Sequence, residues 1–366
     1  MARRGKVAHF EAHGFMDLET KKAVTKDAIF RLASTSKPVT AVAVMMLVEE
    51  GKIRLTDPVS TYIPEFKNMK VAVPKPGAQP AAGGRGGRGG PAGEIAFDLV
   101  SATREITIKD LLTHGSGLMS GGLGAAQAAR IAPKGPPDTL ADYIPRLGAV
   151  PLDFQPGTLW RYSGIAGFET LSRVVEIASG QPFDQFLRRR VFDPLGMKDT
   201  GFWFPDDRLA RRMTLYQRTD NRLTRSPAQD GLSNKVYFSG AGGLMSTAED
   251  YLQFAQMLLN GGTLNGKRLL SPRTVEFMSN GNHAGELFAA NPGRGGMGFG
   301  LGVDVVQDMA KATRITTTGS FGWDGAYGTH FWVDAKEQMV GIMFIQTATP
   351  GIARDFEVAV MQAVVN

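Results

Sequence analysis

A serine and a lysine stand three residues apart in Ala33-Ser34-Thr35-Ser36-Lys37-Pro38, at the head of an almost wholly apolar run. Three residues along a helix puts two side chains on one face, one turn apart. A serine hydroxyl is a poor nucleophile until a base takes its proton, and a lysine whose pKa is lowered by burial is such a base. A hydroxyl in the first turn of a helix also lies beside free backbone N–H groups, which favour developing negative charge. Residue types, spacing and position together suit a serine that its substrate acylates. The pair alone is a weak signal, because 16 serines and 16 lysines in 366 residues produce one such spacing by chance about as often as not.

Two later segments strengthen it. Trp160-Arg161-Tyr162-Ser163-Gly164 follows Pro156-Gly157 and precedes a helix pattern. A tyrosine beside the pair could shuttle the proton, provided a lysine cation lowers its pKa of about 10. Gly322-Trp323-Asp324-Gly325-Ala326-Tyr327-Gly328-Thr329 precedes a strand pattern with Phe331 and Trp332. Glycines there let a substrate approach the backbone, and a main-chain N–H on such an edge can pair with that of Ser34 around an oxyanion. Trp323 and Asp324 fall on opposite faces of a strand, so the pattern leaves open which of them lines a site. His114, in Thr113-His114-Gly115-Ser116-Gly117, is the best rival base among five histidines.

The elements that must position these residues can be read from periodicity. Two short strands are expected at Val7–Gly14 and on to Leu18, and a buried helix from Ser34 to a stop at Gly51. Helix signals follow at Ile108–Leu112, Thr139–Leu147, Ile165–Ser179 and Pro182–Val191, and another opens with a capping box at Ser246–Glu249. Strands are expected at Phe299–Val306, Arg314–Thr318, Thr329–Val333 and Met339–Gln346, then a helix at Ala353–Val365. Strands at both ends with helices between predict an α/β (α+β) arrangement, an antiparallel sheet flanked by helices and formed by both chain ends. Residues 1–50 with 295–366 would form the sheet domain, and 51–294 a mostly helical one. Residues 74–93, rich in glycine and arginine, would be a flexible loop within the latter.

Together the three motifs resemble the serine β-lactamase and penicillin-binding-protein superfamily. Leu55-Thr56-Asp57-Pro58-Val59, Leu111–Leu118 and Gly240-Ala241-Gly242-Gly243-Leu244-Met245-Ser246-Thr247 are similar to its class C branch, and the chain looks most like the family VIII carboxylesterases. The resemblance implies a β-lactamase-like fold, with Ser34 as nucleophile and Lys37 and Tyr162 sharing acid–base work. It implies an oxyanion hole from the N–H groups of Ser34 and Ala326, and a substrate edge at Trp323, Asp324, Gly325 and Tyr327. The expected asparagine after the tyrosine is Gly164, and the expected lysine of Lys-Thr-Gly is Trp323. The family also places a helix before its first strand, whereas this chain starts almost inside that strand.

Composition narrows the classes. Without cysteine there is no disulfide, thiol catalysis or cysteine-ligated metal, and no histidine pattern suggests a metal site. No Gly-x-Ser-x-Gly elbow occurs, which argues against an α/β-hydrolase. A net charge of +6 spread over the chain does not argue for nucleic acid, and two Arg-Gly-Gly units without aromatics add little. The start has no apolar core behind its basic residues, and no run is long enough to span a bilayer. The expectation is a soluble, cytoplasmic serine carboxylesterase, or a periplasmic one if the true start lies upstream. It would act on small-molecule esters of short to medium acyl chain, with no cofactor, no metal, no nucleic acid and no membrane. A β-lactamase, a D-amino-acid peptidase or amidase, and a non-catalytic penicillin-binding-like protein are the alternatives.

Overall fold

The computed structural model describes residues 1–77, 96–220, 222–227 and 235–365. A seven-stranded sheet runs in the order Met297–Phe299, Asp304–Val306, Phe321–Asp324, His330–Asp334, Met339–Met343, Ala2–Arg3 and Lys6–Val7. Every pairing in it is antiparallel. The chain's two ends meet where Ala2 pairs with Val340. This is the expected sheet, flanked by helices and built from both ends.

One face of the sheet carries the C-terminal helix Ile352–Gln362, with Trp332, Met339 and Val360 packed together and Phe356 against them. The other face meets the helix Ala248–Leu259, whose Tyr251 ring lies 5.1 Å from that of Phe331. Beyond it runs the helix Ser36–Glu49, buried over nearly its whole length. Such a helix has no polar face to offer water, so its apolar residues specify a central position. Pro38 is tolerated because it sits in the first turn, where no intrahelical N–H is needed. Gly51, at φ 70°, ends the helix as expected. No helix among the described residues is long and apolar enough to cross a membrane.

Several expected elements differ. Phe299–Val306 is not one strand but the hairpin Met297–Phe299 and Asp304–Val306. Gly302, at φ 82°, makes its turn, and an added Cβ there would lie 2.8 Å from that of Ala41 on the central helix. Arg314–Thr318 is not a strand. Its backbone is captured by a side chain instead, because the buried Asp334 carboxylate accepts from the Thr317 N–H at 3.1 Å and from the Thr317 hydroxyl at 2.6 Å. The third strand of the sheet is Phe321–Asp324. Val7–Gly14 stops pairing after Val7, where Ala8 and His9 both turn their N–H groups to the Met1 carbonyl. The cap of the Ala248–Leu259 helix is Thr247 accepting from the Asp250 N–H at 3.1 Å, one residue later than expected. Most of the expected loop at 74–93 lies outside the described residues. The residues flanking it form a hairpin, Lys70–Pro74 with Phe97–Ser101.

Candidate active site

Ser34 lies in a 3-10 turn, Ala33–Thr35, that runs directly into the Ser36–Glu49 helix. Lys37 points inward from the first turn of that helix and is fully buried. Its Nζ lies 3.1 Å from Ser34 Oγ and donates to the carbonyls of Gly164 and Ala241, at 2.7 Å each. Burial brings its pKa down to about 7, and the carboxylate of Glu169 pulls the other way. A neutral lysine has two N–H bonds and one lone pair. Carbonyls can only accept, so they hold both protons, and the lone pair is left facing Ser34 Oγ.

The Ala241 carbonyl is held in place by hydroxyls on two helices. Gly240 donates to Ser172 Oγ at 3.2 Å and accepts from Thr40 Oγ1 at 2.8 Å, and Leu244 donates to Ser36 Oγ at 3.2 Å. A Cβ on Gly240 would lie 2.3 Å from Ser172 Oγ, so only glycine fits between the helices. These backbone contributions were not read from the sequence. The available signal was Ser36 and Thr40, hydroxyls one turn apart on an otherwise apolar helix.

Tyr162 reaches the same serine from the turn before the helix Ala166–Ser179, with its hydroxyl 2.7 Å from Ser34 Oγ. Burial pushes its phenol above the usual value, against the hydrogen bond to Ser34 and the Trp323 indole beside it. The lowering that a lysine cation would have to supply is absent at rest, and Tyr162 rests as a protonated donor. Its ring is wedged between His114 and Trp323, with centroids 4.5 and 5.6 Å away. His114 is buried, accepts from the Ser163 N–H at 3.3 Å, and is held well below its ordinary pKa, chiefly by burial. None of its hydrogen bonds reaches Ser34. It supports the tyrosine turn from behind.

The third side of the site is the end of the Phe321–Asp324 strand. Trp323 faces inward, pairs with Phe331 across the sheet and packs edge-on against Phe299 at 5.2 Å. Asp324 faces the opposite way, and its Oδ1 accepts from His330 Nδ1 at 2.5 Å. The structure thus brings Trp323 against Tyr162, which reaches Ser34, and turns the Asp324 carboxylate to the other face. Trp332 also lies on the far face, against Phe356. Gly325 donates to the Thr329 carbonyl at 2.7 Å, closing the turn that carries Ala326 and the half-buried Tyr327. Among the described residues, the N–H groups of Ser34 and Ala326 donate to no backbone carbonyl.

A serine hydroxyl, a buried amine with a lowered pKa, a phenol donor and two N–H groups on one turn-and-strand junction are the kinds of part that acyl transfer through serine needs. The family model described as Beta-lactamase matches residues 1–363. The chain belongs to the β-lactamase family. Its relatives include Protein Rv1367c of Mycobacterium tuberculosis, 34% identical over 98% of this chain and 87% of that protein. Esterase EstB of Burkholderia gladioli is 29% identical over 100% of this chain and 89% of that protein. Among solved structures, EstCE1, described as a hydrolase with promiscuous acyltransferase activity, superposes with a TM-score of 0.78. It is 26% identical and covers 100% of this chain and 92% of its own. Fold and relatives support a serine hydrolase of the β-lactamase fold.

Proposed function

We propose that this protein is a serine carboxylesterase of the family VIII type, working through an acyl-enzyme on Ser34. The observation that carries the reading is the hydrogen bonding of Lys37: two carbonyls at 2.7 Å occupy its protons and leave its lone pair to Ser34. In acylation, Lys37 takes the Ser34 proton as Oγ attacks the ester carbonyl, and Tyr162 gives its proton to the departing alcohol. Lys37 is then an ammonium and Tyr162 a phenolate, with the Lys37 Nζ over the tyrosine ring at 5.0 Å. In deacylation, the phenolate takes a proton from the attacking water, and Lys37 returns its proton to Ser34 as the acid leaves. The N–H groups of Ser34 and Ala326 are the proposed oxyanion donors.

The wall beside Ser34 favours a neutral ester with an apolar acyl group. Where a β-lactamase offers a lysine to the substrate carboxylate, this chain has Trp323, and Asp324 offers no cation either. A charge-assisted bond of that kind contributes about 1.5–3 kcal/mol. Gly164 supplies no side-chain amide for an acylamino group, although its surroundings would admit one. The nearest atom to an added Cβ, Tyr162 Cε1, lies at 3.8 Å.

The test has two arms. Fluorophosphonate labelling followed by peptide mass spectrometry should place one adduct on Ser34, and Ser34→Ala should abolish both adduct and esterase activity. The kcat/KM for p-nitrophenyl butyrate should exceed that for nitrocefin by several orders of magnitude. An adduct on Ser116 or Ser163 would overturn the nucleophile, and comparable nitrocefin turnover would favour the β-lactamase alternative.

A further inference from the structure

The proposed oxyanion donors come from parts of the chain almost three hundred residues apart, one on the Ala33–Thr35 turn and one on the turn after Phe321–Asp324. Their relative placement must be fixed to a fraction of an ångström to be useful, since donors act only where charge develops. The carbonyl of Leu32, two residues before Ser34, is where the two segments meet. It accepts from the Thr35 hydroxyl at 2.7 Å and from the Thr329 hydroxyl at 2.7 Å. The Thr35 N–H donates to the same oxygen at 3.2 Å, so donors from both segments converge on one carbonyl. The two hydroxyl oxygens are 3.1 Å apart and fully enclosed, as Thr35, Thr329 and Leu32 are all buried.

The same threonine closes the other turn. Its carbonyl accepts from the Gly325 N–H at 2.7 Å, so Thr329 holds the strand-end turn through its backbone and the nucleophile turn through its side chain. The packing leaves no slack between them. A Cβ on Gly325 would fall 2.0 Å from Thr329 Oγ1 and 2.3 Å from the Leu32 carbonyl oxygen. Gly325 is thus required by a close approach of two backbones, and Ala326 is the next residue. The nucleophile side of this junction is also strained. Ala33 sits at φ +48°, a left-handed conformation that a residue with a Cβ adopts at some cost. The strain persists because the residues around it are pinned. Leu32 is held at its carbonyl by the two threonines and at its N–H by the Leu244 carbonyl at 2.9 Å, while the Tyr251 hydroxyl holds the Thr35 carbonyl at 2.8 Å.

We propose that Thr329 is a positioning residue for catalysis, whose hydroxyl, through the Leu32 carbonyl, sets the placement of the Ser34 and Ala326 N–H groups relative to one another. This rests on the oxyanion hole proposed above. Thr329 is buried and its hydroxyl donates to the Leu32 carbonyl, so its effect should fall on the transition state rather than on ground-state binding.

The experiment compares Thr329→Val, Thr329→Ala and Thr329→Ser on p-nitrophenyl butyrate, with the inhibition constant of an alkyl boronic acid as a second readout. The boronate mimics the tetrahedral state and occupies the oxyanion site. Losing the hydroxyl in Val or Ala should lower kcat about 100-fold, by analogy with losing or misplacing one oxyanion donor. It should weaken boronate binding in step and leave KM within about threefold. Thr329→Ser should restore both readouts to within about threefold of the wild type. Val and Ala bracket the side-chain volume, so a variant that fails to fold leaves the other to give the reading. A hydroxyl-free variant that keeps its kcat overturns the proposal, as does a serine variant as impaired as the valine one. Fluorophosphonate labelling of the wild type separates the two levels: no adduct on Ser34 refutes the parent reading, whereas a normal adduct with an active Thr329→Val refutes the clamp alone.

Discussion

Two buried basic side chains lie on either side of the strand that ends at Asp324, and their surroundings drive them in opposite directions. Lys37, in front, is fully buried among two carbonyls and a hydroxyl, and its pKa falls to about 7. His330, behind, is almost as buried, and burial likewise works against its charge. Its hydrogen bond to the Asp324 carboxylate at 2.5 Å and its ion pair with the Glu357 carboxylate at 3.1 Å outweigh burial and raise its pKa to about 9. Burial sets the cost of a charge in both places, and the formal charge of the partners decides whether the cost is met. Neutral acceptors leave an amine that gives up its proton near neutrality, and carboxylates keep a side chain charged there. The rear cluster is a structural anchor on this reading. Glu357 also pairs with Arg354 on its own helix at 3.2 Å and with Arg314 at 2.5 Å, while its contact with His330 ties the C-terminal helix to the sheet.

The largest expected effects follow from removing each centre. Lys37→Met should lower kcat by about 10⁴-fold, in line with the loss of one member of a catalytic unit, without lowering the melting temperature. A methionine there no longer has to be desolvated as a charge. Glu357→Gln should do the converse. Breaking a buried ion-pair cluster costs about 3–5 kcal/mol of stability, and kcat should stay within a few-fold. Denaturation and steady-state kinetics on both variants check this. A Lys37→Met protein that loses stability but keeps its activity would erase the contrast between the two regions.

The two centres differ equally in how far the sequence revealed them. Ser34 and Lys37 were legible because a helix converts a spacing of three into proximity, and Tyr162 because a recurring motif marked it. The two carbonyls that tune Lys37 were not, since a backbone oxygen has the same identity at every residue. The rear cluster gathers Asp324 and His330 from two strands, Glu357 from the C-terminal helix and Arg314 from the segment before the third strand, and no local spacing announces it. Strand alternation put Trp323 and Asp324 on opposite faces but could not say which was inward. That was decided by the pairing of Trp323 with Phe331, whose ring packs on Tyr251. Arg314–Thr318 had strand-like composition and failed to pair because Asp334, 17 residues on, captured its Thr317 N–H, a contact beyond the reach of local periodicity.

A smaller effect is expected from giving Lys37 the kind of partner that His330 has. Gly164 offers the position, because its carbonyl already lies 2.7 Å from Lys37 Nζ and an added Cβ meets only Tyr162 Cε1, at 3.8 Å. Gly164→Asp should raise the Lys37 pKa, as a carboxylate close to an amine does by about 1–3 units. The acid limb of the kcat/KM profile, expected near pH 7, should move up accordingly. Activity should fall about tenfold at pH 7 and recover toward pH 9. Gly164→Asn is the uncharged control and should leave the limb where it is. Identical limbs in the two variants would show that the charge of the partners is not what sets the Lys37 pKa.

The smallest effect is one that the wild type should conceal. Lys37 has a folded pKa of about 7 against an ordinary 10.5, so between those values the unfolded chain holds a proton that the folded one lacks. Stability then rises with pH. His330 has a folded pKa of about 9 against an ordinary 6.5, so between those values the folded chain holds the extra proton. Its contribution is complete below about pH 6.5 and is lost as pH rises through about 9. From pH 7 to 9 the two slopes oppose one another, each at most about 1.4 kcal/mol per pH unit. The wild-type melting temperature should therefore change little across that window. Lys37→Met removes the rising slope, and its melting temperature should fall by several degrees from pH 7 to 9. His330→Gln removes the falling slope, and its melting temperature should climb over the same range. Thermal melts of the three proteins at half-unit pH steps read this directly. Parallel curves for all three would mean that the two buried groups do not carry their protons as their partners dictate, because two opposed titrations cannot each be removed without tilting the profile in opposite senses.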